Sequence, residues 1–340
     1  MNSLVLDPKS IPESTSSLAR HDWKKLDHSQ FEVGLIDGFI EGSDPAKMLD
    51  YAMRTQGFAL LRHPDFDEEF VAQTRAVAEN FFCRSLEHKK QFQLQTAYGI
   101  GGYTAVGGEA VGRSFETSAA EESIPVDLVE SLALTPNLIQ QFQTSDLHRH
   151  NPIIQQAEAY KKYMYNALTS LLKLAAQAGD YDEKHLMSGY DLDSDSLGLR
   201  FSYYPALAQP PTTGQMRYGA HTDFLGFTLL APDPLVDGLE VLDITGVWKR
   251  INMCLLQEKS TLIINAGDLW PVITEGRWMS AIHRVANPLP QHYGLARLSL
   301  VFFTGPRPDT PLEPLRRAKS EPILTAGQFL QKKLGIIGVG

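Results

Sequence analysis

Two side chains with metal-binding chemistry, His221 and Asp223, stand two positions apart in GAHTDFLGFTLL, Gly219 to Leu230. In extended backbone, side chains at i and i+2 share a face, so both can reach one ion. Taken alone, an H-x-D pair is more often a surface histidine followed by a turn aspartate. A further imidazole, His283 in AIHRVANP (281–288), stands sixty positions beyond Asp223. Two imidazoles and one carboxylate leave about three positions of an octahedral ion open, the facial arrangement of non-haem Fe(II) centres that activate O2. Zinc more often takes three or four protein ligands in a tetrahedron. The long separation permits convergence only if the two strands lie side by side in a double sheet.

A third element is RLSLVFF, residues 297 to 303. Strand alternation puts Arg297, Ser299 and Val301 on one face and Leu298, Leu300 and Phe302 on the other. If the first set faces a core, Arg297 is a costly buried charge that calls for a carboxylate. None lies within the strand. A bound carboxylate held by the guanidinium fork and the serine hydroxyl meets that need. The other possibility, an arginine facing solvent with only the apolar set inside, fits the strand equally well.

These residues need elements to place them. From Leu197 onward LRFSYYP, FTLLAP, LEVLD, TLIINAGD and RLSLVFF are short, β-rich and punctuated by Gly, Pro and Asp, as in an antiparallel sandwich or barrel. The first half reads as helical. Asp44-Pro45 opens a helix to Thr55 that stops at Gly57, and a second runs from Asp67 to about Arg84. The longest begins at Asn151-Pro152 and reaches about Ala178, closed by Gly179. Its Ile154, Ala157, Met164, Leu168, Leu171 and Ala175 keep helical spacing, so it backs the core. FEVGLIDGFI (31–40) and GFALLR (57–62) read as strands, and a short helix spans about Ala326 to Leu334. GIGGYTAVGGEAVGR (99–113) lacks the spacing of a phosphate-binding loop and reads as a flexible loop near a site. Trp248, Trp270 and Trp278 read as core or wall residues, Gly267-Asp268 as a turn, and His292 as exposed.

The chain has 340 residues, 43% of them hydrophobic, and a formal net charge of −9. That charge argues against nucleic acid or an anionic membrane as the main partner. Neither a signal peptide nor an apolar run of about 18 residues is seen. The two cysteines, Cys83 and Cys254, both in apolar company, read as buried free thiols. A cytoplasmic setting follows from so few cysteines. A monomer is the default, since no exposed apolar stripe stands out.

LRFSYYP, HTDFLGFTLLAPDPLVDGLEVLDITGVWKRI, TLIINAGDLWPVITEGRWMSAIHRVANP and RLSLVFFTGPRPDTPLEPL, in that order, resemble the isopenicillin N synthase-like family of Fe(II)- and 2-oxoglutarate-dependent oxygenases. GFALLRHP and FFCRSLEHKKQF resemble its first part, so the likeness runs from about residue 31 to about 315. The resemblance implies an α+β fold, a double-stranded β-helix (jelly roll) surrounded by helices. Residues 1–30, rich in Ser, Pro and charge, read as a loosely held N-terminal arm, and with no linker long enough to split the chain, 31–340 reads as one domain, which the resemblance makes an oxygenase domain. That domain is helix-rich to about 196, has its jelly-roll core mainly in 197–310, and ends in a tail and helix over 311–340. It further implies that His221, Asp223 and His283 bind iron, and that Arg297, Ser299 and Tyr204 bind the cosubstrate 2-oxoglutarate. Ser202 stands where many members have asparagine. A carboxylate at Asp223 argues against the halide-binding variants of such sites.

The implied activity is oxidation by O2 of an unactivated C–H bond in a small molecule of specialised metabolism. Hydroxylation is the expected outcome, with desaturation, cyclisation or epoxidation as diversions. Tyr103, Arg113, Phe115 and Phe224 are candidate walls of the substrate pocket, and an arginine there could pair with a substrate carboxylate. The glycine-rich loop and the tail with Phe329 and Leu330 are candidate covers. Alternatives are an Fe(II) oxidase of the same fold without 2-oxoglutarate, a zinc hydrolase or isomerase at the same residues, or a non-catalytic binding module.

Overall fold

The computed structural model describes residues 26–31, 35–37, 44–62, 66–94, 101–111, 125–251, 261–315 and 324–336. Its helices are α1 (Pro45–Thr55), α2 (Glu68–Phe82), α3 (Leu86–Lys90), α4 (Pro136–Thr144), α5 (Pro152–Gly179), α6 (Glu183–Ser188), α7 (Leu269–Ile273) and α8 (Ala326–Ile336). The expected caps are in place. Asp44 accepts from the Lys47 amide at 3.1 Å, Asp67 from Phe70 at 2.9 Å and Asn151 from Ile153 at 3.1 Å. Each satisfies one of the amides that a helix start leaves without a partner.

The close of α5 differs from expectation. Gly179 is its last helical residue and Asp180 takes the left-handed conformation, at φ 56°. Gly179 answers a packing demand, because a Cβ there would lie 1.9 Å from the Tyr181 ring. The six apolar positions expected to face the core on α5 are all buried. The helix packs against α1, α2, α4 and α6.

Among the described residues, two sheets form the β core. The eight-stranded sheet runs β2 (Leu35–Asp37), β3 (Phe58–Arg62), β11 (Thr261–Ala266), β8 (Phe227–Ala231), β13 (Arg297–Phe303), β6 (Gly198–Tyr204), β5 (Glu130–Leu134) and β4 (Gly102–Thr104). The five-stranded sheet runs β1 (Leu26–Phe31), β10 (Trp248–Ile251), β9 (Leu239–Leu242), β12 (His283–Val285) and β7 (Tyr218–His221). This is the jelly-roll core within an α+β fold. Pairing is antiparallel except at two edges, where β1 joins β10 and β2 joins β3 in parallel. The first half of the chain thus supplies five strands that extend and cover the core's edges, where open strands would otherwise present unpaired backbone. The end of the expected N-terminal arm is one of them, since 26–30 lie in β1; residues 1–25 fall outside the described residues.

The large sheet is two-faced. Leu199 and Phe201 on β6, with Leu298, Leu300 and Phe302 on β13, join a continuous apolar core with α1, α2 and α5. Arg200, Ser202, Tyr204, Arg297 and Ser299 take the alternate positions, toward the small sheet. Trp248, Trp270 and Trp278 are buried and His292 is exposed, as expected. Cys83 corrects the expectation of two buried thiols: it is exposed at the C-cap of α2, because the preceding Phe81 and Phe82 take the inward positions. Cys254 lies outside the described residues. No helix among the described residues is long and apolar enough to cross a membrane.

Candidate active site

The sixty-residue gap between Asp223 and His283 closes through strand pairing. β12 lies beside β7, and His283 is the register partner of His221. The register slips between His283 and Val285, a bulge of the kind that re-aims side chains beside functional sites. The two imidazole centroids are 4.2 Å apart. Asp223 follows on the loop from β7 to β8, its Oδ1 3.8 Å from His221 Nε2 and 3.9 Å from His283 Nε2. One ligand atom from each residue lies within 4.8 Å of the others, and all three residues are largely buried.

The remaining polar atoms of the trio are tied back. His221 Nδ1 lies 2.9 Å from the Gly219 carbonyl, and His283 Nδ1 lies 3.1 Å from that of Ala281. A carbonyl only accepts, so each Nδ1 carries a proton, and it is Nε2 that holds the lone pair in the neutral ring. Asp223 Oδ2 accepts from the Thr228 hydroxyl at 2.5 Å and from the Asn265 amide at 2.6 Å, which leaves Oδ1 turned to the imidazoles. Burial, and then the neighbouring His283, push the His221 imidazole down to about 3. Burial works against ionising Asp223, but His283, His221 and its two hydrogen bonds hold its carboxyl below the usual range. Two imidazoles presenting Nε2 beside one carboxylate form a donor set suited to a first-row divalent ion.

The loop carrying Asp223 is held by close backbone approach. Gly267 donates to the Gly226 carbonyl at 2.8 Å and Asp268 to that of Asp223 at 2.8 Å. A Cβ on Gly267 would lie 2.6 Å from the Leu225 carbonyl oxygen. Asp268 is not in the trio. Its carboxylate accepts from Thr222 at 3.0 Å and pairs with Lys333 of α8 at 2.7 Å, so the C-terminal helix is fastened to the metal-site loop. Phe329 of the same helix is buried in the core and Leu330 is partly buried.

Arg297 is 2% exposed, which decides between the two faces left open for it. Its Nη1 donates to Ser299 at 2.5 Å and its Nε to the Val236 carbonyl at 3.2 Å. The guanidinium lies 5.1 Å from the centre of the Tyr204 ring, its register partner on β6. Ser202, the departure from asparagine, accepts from Arg200 Nε at 3.0 Å.

The glycine-rich loop reaches the site through Glu109, which accepts from Arg200 at 2.7 and 2.8 Å, from Ser131 at 3.0 Å and from Tyr218 at 3.2 Å. Tyr218 meets the His221 ring edge-on at 4.8 Å. Burial opposes the Glu109 charge, yet Arg200 holds its carboxyl below the usual range. Asp127 secures both sides of this loop, accepting from the Val111 amide at 2.8 Å and the Gly219 amide at 2.9 Å. Burial pushes its carboxyl up to about 6.

Tyr103 is a correction. Its ring packs on Phe81 of α2 and its hydroxyl donates to Glu130 at 2.6 Å, beside Lys89. It pairs in register with Leu132 of the apolar core, so alternation turns it to the helix side of the sheet, away from the trio. Phe224 is partly buried directly after Asp223, whereas Arg113 and Phe115 lie outside the described residues. The sequence reading passed over Arg200, Arg217, Thr228 and Asn265. Alternation in LRFSYYP was the available signal for Arg200, two and four positions from Ser202 and Tyr204.

The model of the 2OG-Fe(II) oxygenase superfamily matches residues 196–306. The chain is 28% identical over 329 residues to the proline hydroxylase buaE of Petromyces alliaceus, a match covering 92% of this chain and 98% of that one. To the validamycin A dioxygenase of Streptomyces hygroscopicus subsp. limoneus it is 25% identical over 313 residues, 85% of this chain and 80% of that one. The crystal structure of a full-length Neurospora crassa protein in complex with alpha-KG shares the fold at a TM-score of 0.71 and 24% identity, over 89% of this chain and 95% of that one. The family match spans the trio and the arginine strand, and the relatives align with nearly the whole chain beyond it: over residues 196–306 the chain carries the pattern of the 2OG-Fe(II) oxygenase superfamily.

Proposed function

We propose that this non-haem Fe(II)- and 2-oxoglutarate-dependent oxygenase holds its iron on His221 Nε2, Asp223 Oδ1 and His283 Nε2. Arg297, Ser299 and Tyr204 receive the far carboxylate of 2-oxoglutarate. The observation that carries the metal assignment is the division of labour within the trio. Three ligand atoms converge within 4.8 Å, while the other polar atom of each side chain is engaged elsewhere. Burial keeps the His221 imidazole neutral, so it needs no deprotonation before binding a metal. When bound, ferrous iron with 2-oxoglutarate and O2 supplies the oxidising power needed to break an unactivated C–H bond.

The chain's own groups do the rest. Arg297 and Ser299 offer a charged donor and a hydroxyl on the inner face of β13, and Tyr204 flanks them. Glu109, Arg200 and Tyr218 build a polar border beside His221 that orients what enters. Phe224 is the wall candidate next to Asp223. Relatives named for proline and validamycin A support a small polar metabolite as substrate, with hydroxylation as the outcome. The low cysteine content supports a cytoplasmic setting, and a monomer is the working assembly.

The test is succinate formation. It should require Fe(II), 2-oxoglutarate and O2 together and vanish in His221→Ala. Arg297→Ala should weaken 2-oxoglutarate about tenfold or more while Fe(II) affinity stays within about threefold, since a hydrogen bond to a charged group is worth about 1.5–3 kcal/mol. Product formed without O2 would overturn the oxygenase, and turnover without succinate would overturn the cosubstrate.

A further inference from the structure

Arg217, immediately before β7, is fully buried, at 0% exposure. Its Nη2 donates to the Leu295 carbonyl at 2.7 Å, but Nε and Nη1 have no hydrogen-bond partner among the described residues. Buried donors are almost always satisfied, and an arginine cannot shed its charge to escape the cost. The surroundings make the deficit worse. Arg217 feels the charge of Arg297 and sits near Tyr204, the ring that lies against Arg297. Arg75 adds a third guanidinium near the same aspartate, Asp233. Asp233 is buried, and its oxygens already accept from the amides of Leu235, Val236 and Leu298. Asp237, a second carboxylate that Arg217 feels, lies within reach of Arg250 and is partly exposed. Burial, then the charge of Arg297, push the Arg217 guanidinium down to about 10. Among the described residues the region holds more buried positive charge than buried negative charge, with donors left over on one arginine.

We propose that Arg217 is a second cationic anchor for the carboxylate end of 2-oxoglutarate, working beside Arg297. The inference rests on the cosubstrate assignment above. It explains why the chain keeps an under-satisfied guanidinium in its interior: the missing partner is an anion that arrives with the cosubstrate. An arginine serving only to fill space would have both free nitrogens bonded, or would be replaced without loss by an apolar side chain of similar length.

The test measures equilibrium binding without turnover. The Co(II)-loaded protein is titrated with 2-oxoglutarate and with 2-oxobutanoate, which lacks the distal carboxylate, by calorimetry. Arg217→Met should raise the 2-oxoglutarate Kd about 10- to 100-fold, the range set by losing hydrogen bonds to a charged group. Co(II) affinity and the Kd for 2-oxobutanoate should stay within about threefold. The melting temperature of the ligand-free variant should equal or exceed that of the unaltered protein, a gain that a structural arginine would not yield. Arg217→Lys, which keeps the charge, should recover part of the affinity, and it carries the test if Arg217→Met fails to fold. A 2-oxoglutarate Kd unchanged in the Arg217 variants but raised in Arg297→Met refutes the second anchor and leaves the cosubstrate assignment standing. A Kd unchanged in Arg297→Met as well refutes both. Equal weakening of 2-oxoglutarate and 2-oxobutanoate also refutes the anchor.

Discussion

The two imidazoles are oriented by backbone carbonyls, which no substitution removes; the carboxylate alone is oriented by side chains. Thr228→Val and Asn265→Leu therefore probe the metal site without touching a ligand. Asp223 Oδ2 accepts from Thr228 at 2.5 Å and from Asn265 at 2.6 Å, and both donors are buried. Each bond to an ionised acceptor is worth about 1.5–3 kcal/mol, roughly 10- to 150-fold in an equilibrium constant. Part of that loss falls equally on the metal-free and metal-bound forms and cancels. The remainder is the cost of swinging Oδ1 back into line and of a less settled carboxylate, and such outer partners commonly contribute about 10- to 100-fold. Each single variant should weaken Co(II) about tenfold and the double variant about a hundredfold, read from the visible absorption of Co(II) against a competing chelator. Melting curves taken alongside separate lost affinity from lost fold. A double variant that melts normally and binds Co(II) within about threefold of the unaltered protein would refute the claim that these two donors aim Asp223.

Three further outcomes follow from the same geometry. Glu109→Gln leaves the largely buried Arg200 side chain without its counter-charge and should cost about 2–3 kcal/mol in urea denaturation, most of it regained in Glu109→Leu/Arg200→Met; a single-variant loss under about 1 kcal/mol contradicts the pairing. Asp127, whose carboxyl burial raises to about 6 from an ordinary 3.8, contributes stability that is full below the ordinary value and lost as pH rises through about 6. The stability of Asp127→Asn relative to the unaltered protein should therefore improve from about pH 5 to about pH 8, by at most about 3 kcal/mol, and a flat difference across that range refutes it. Gly267→Ala puts a Cβ 2.6 Å from the Leu225 carbonyl and 3.0 Å from that of Asp223, neither of which is a flexible side-chain end. It should cost about 1–3 kcal/mol and weaken Co(II) together, and stability lost at full Co(II) affinity contradicts the coupling of this glycine to the Asp223 loop.

Much of this is legible in the residue order alone. Helix starts were readable because capping is local: an Asp-Pro or Asn-Pro step meets the needs of the first turn with atoms a few bonds away. The inward face of α5 was readable because a period near 3.6 is written into residue order. Tyr103 was misplaced because a glycine-rich flank says nothing about which way a short strand turns its side chains. That direction was set by its pairing with Leu132 across the sheet. Cys83 was misplaced for a related reason, since apolar neighbours do not reveal which of them use up the inward positions at a helix end.

Residue types and their local spacing by themselves determined the chemistry on offer, two imidazoles, a carboxylate and an arginine two positions before a serine, together with the elements that carry them. Only the tertiary structure decided that these meet. The pairing of β7 with β12, the inward turn of Arg297, the capture of Asp223 by Thr228 and Asn265, and the burial of Arg217 all depend on which strands become neighbours. The physical reason is range. Caps, turns and periodicity are fixed by contacts within a few residues, whereas strand register and buried charge balance are set by groups tens of residues apart, whose proximity no local pattern encodes.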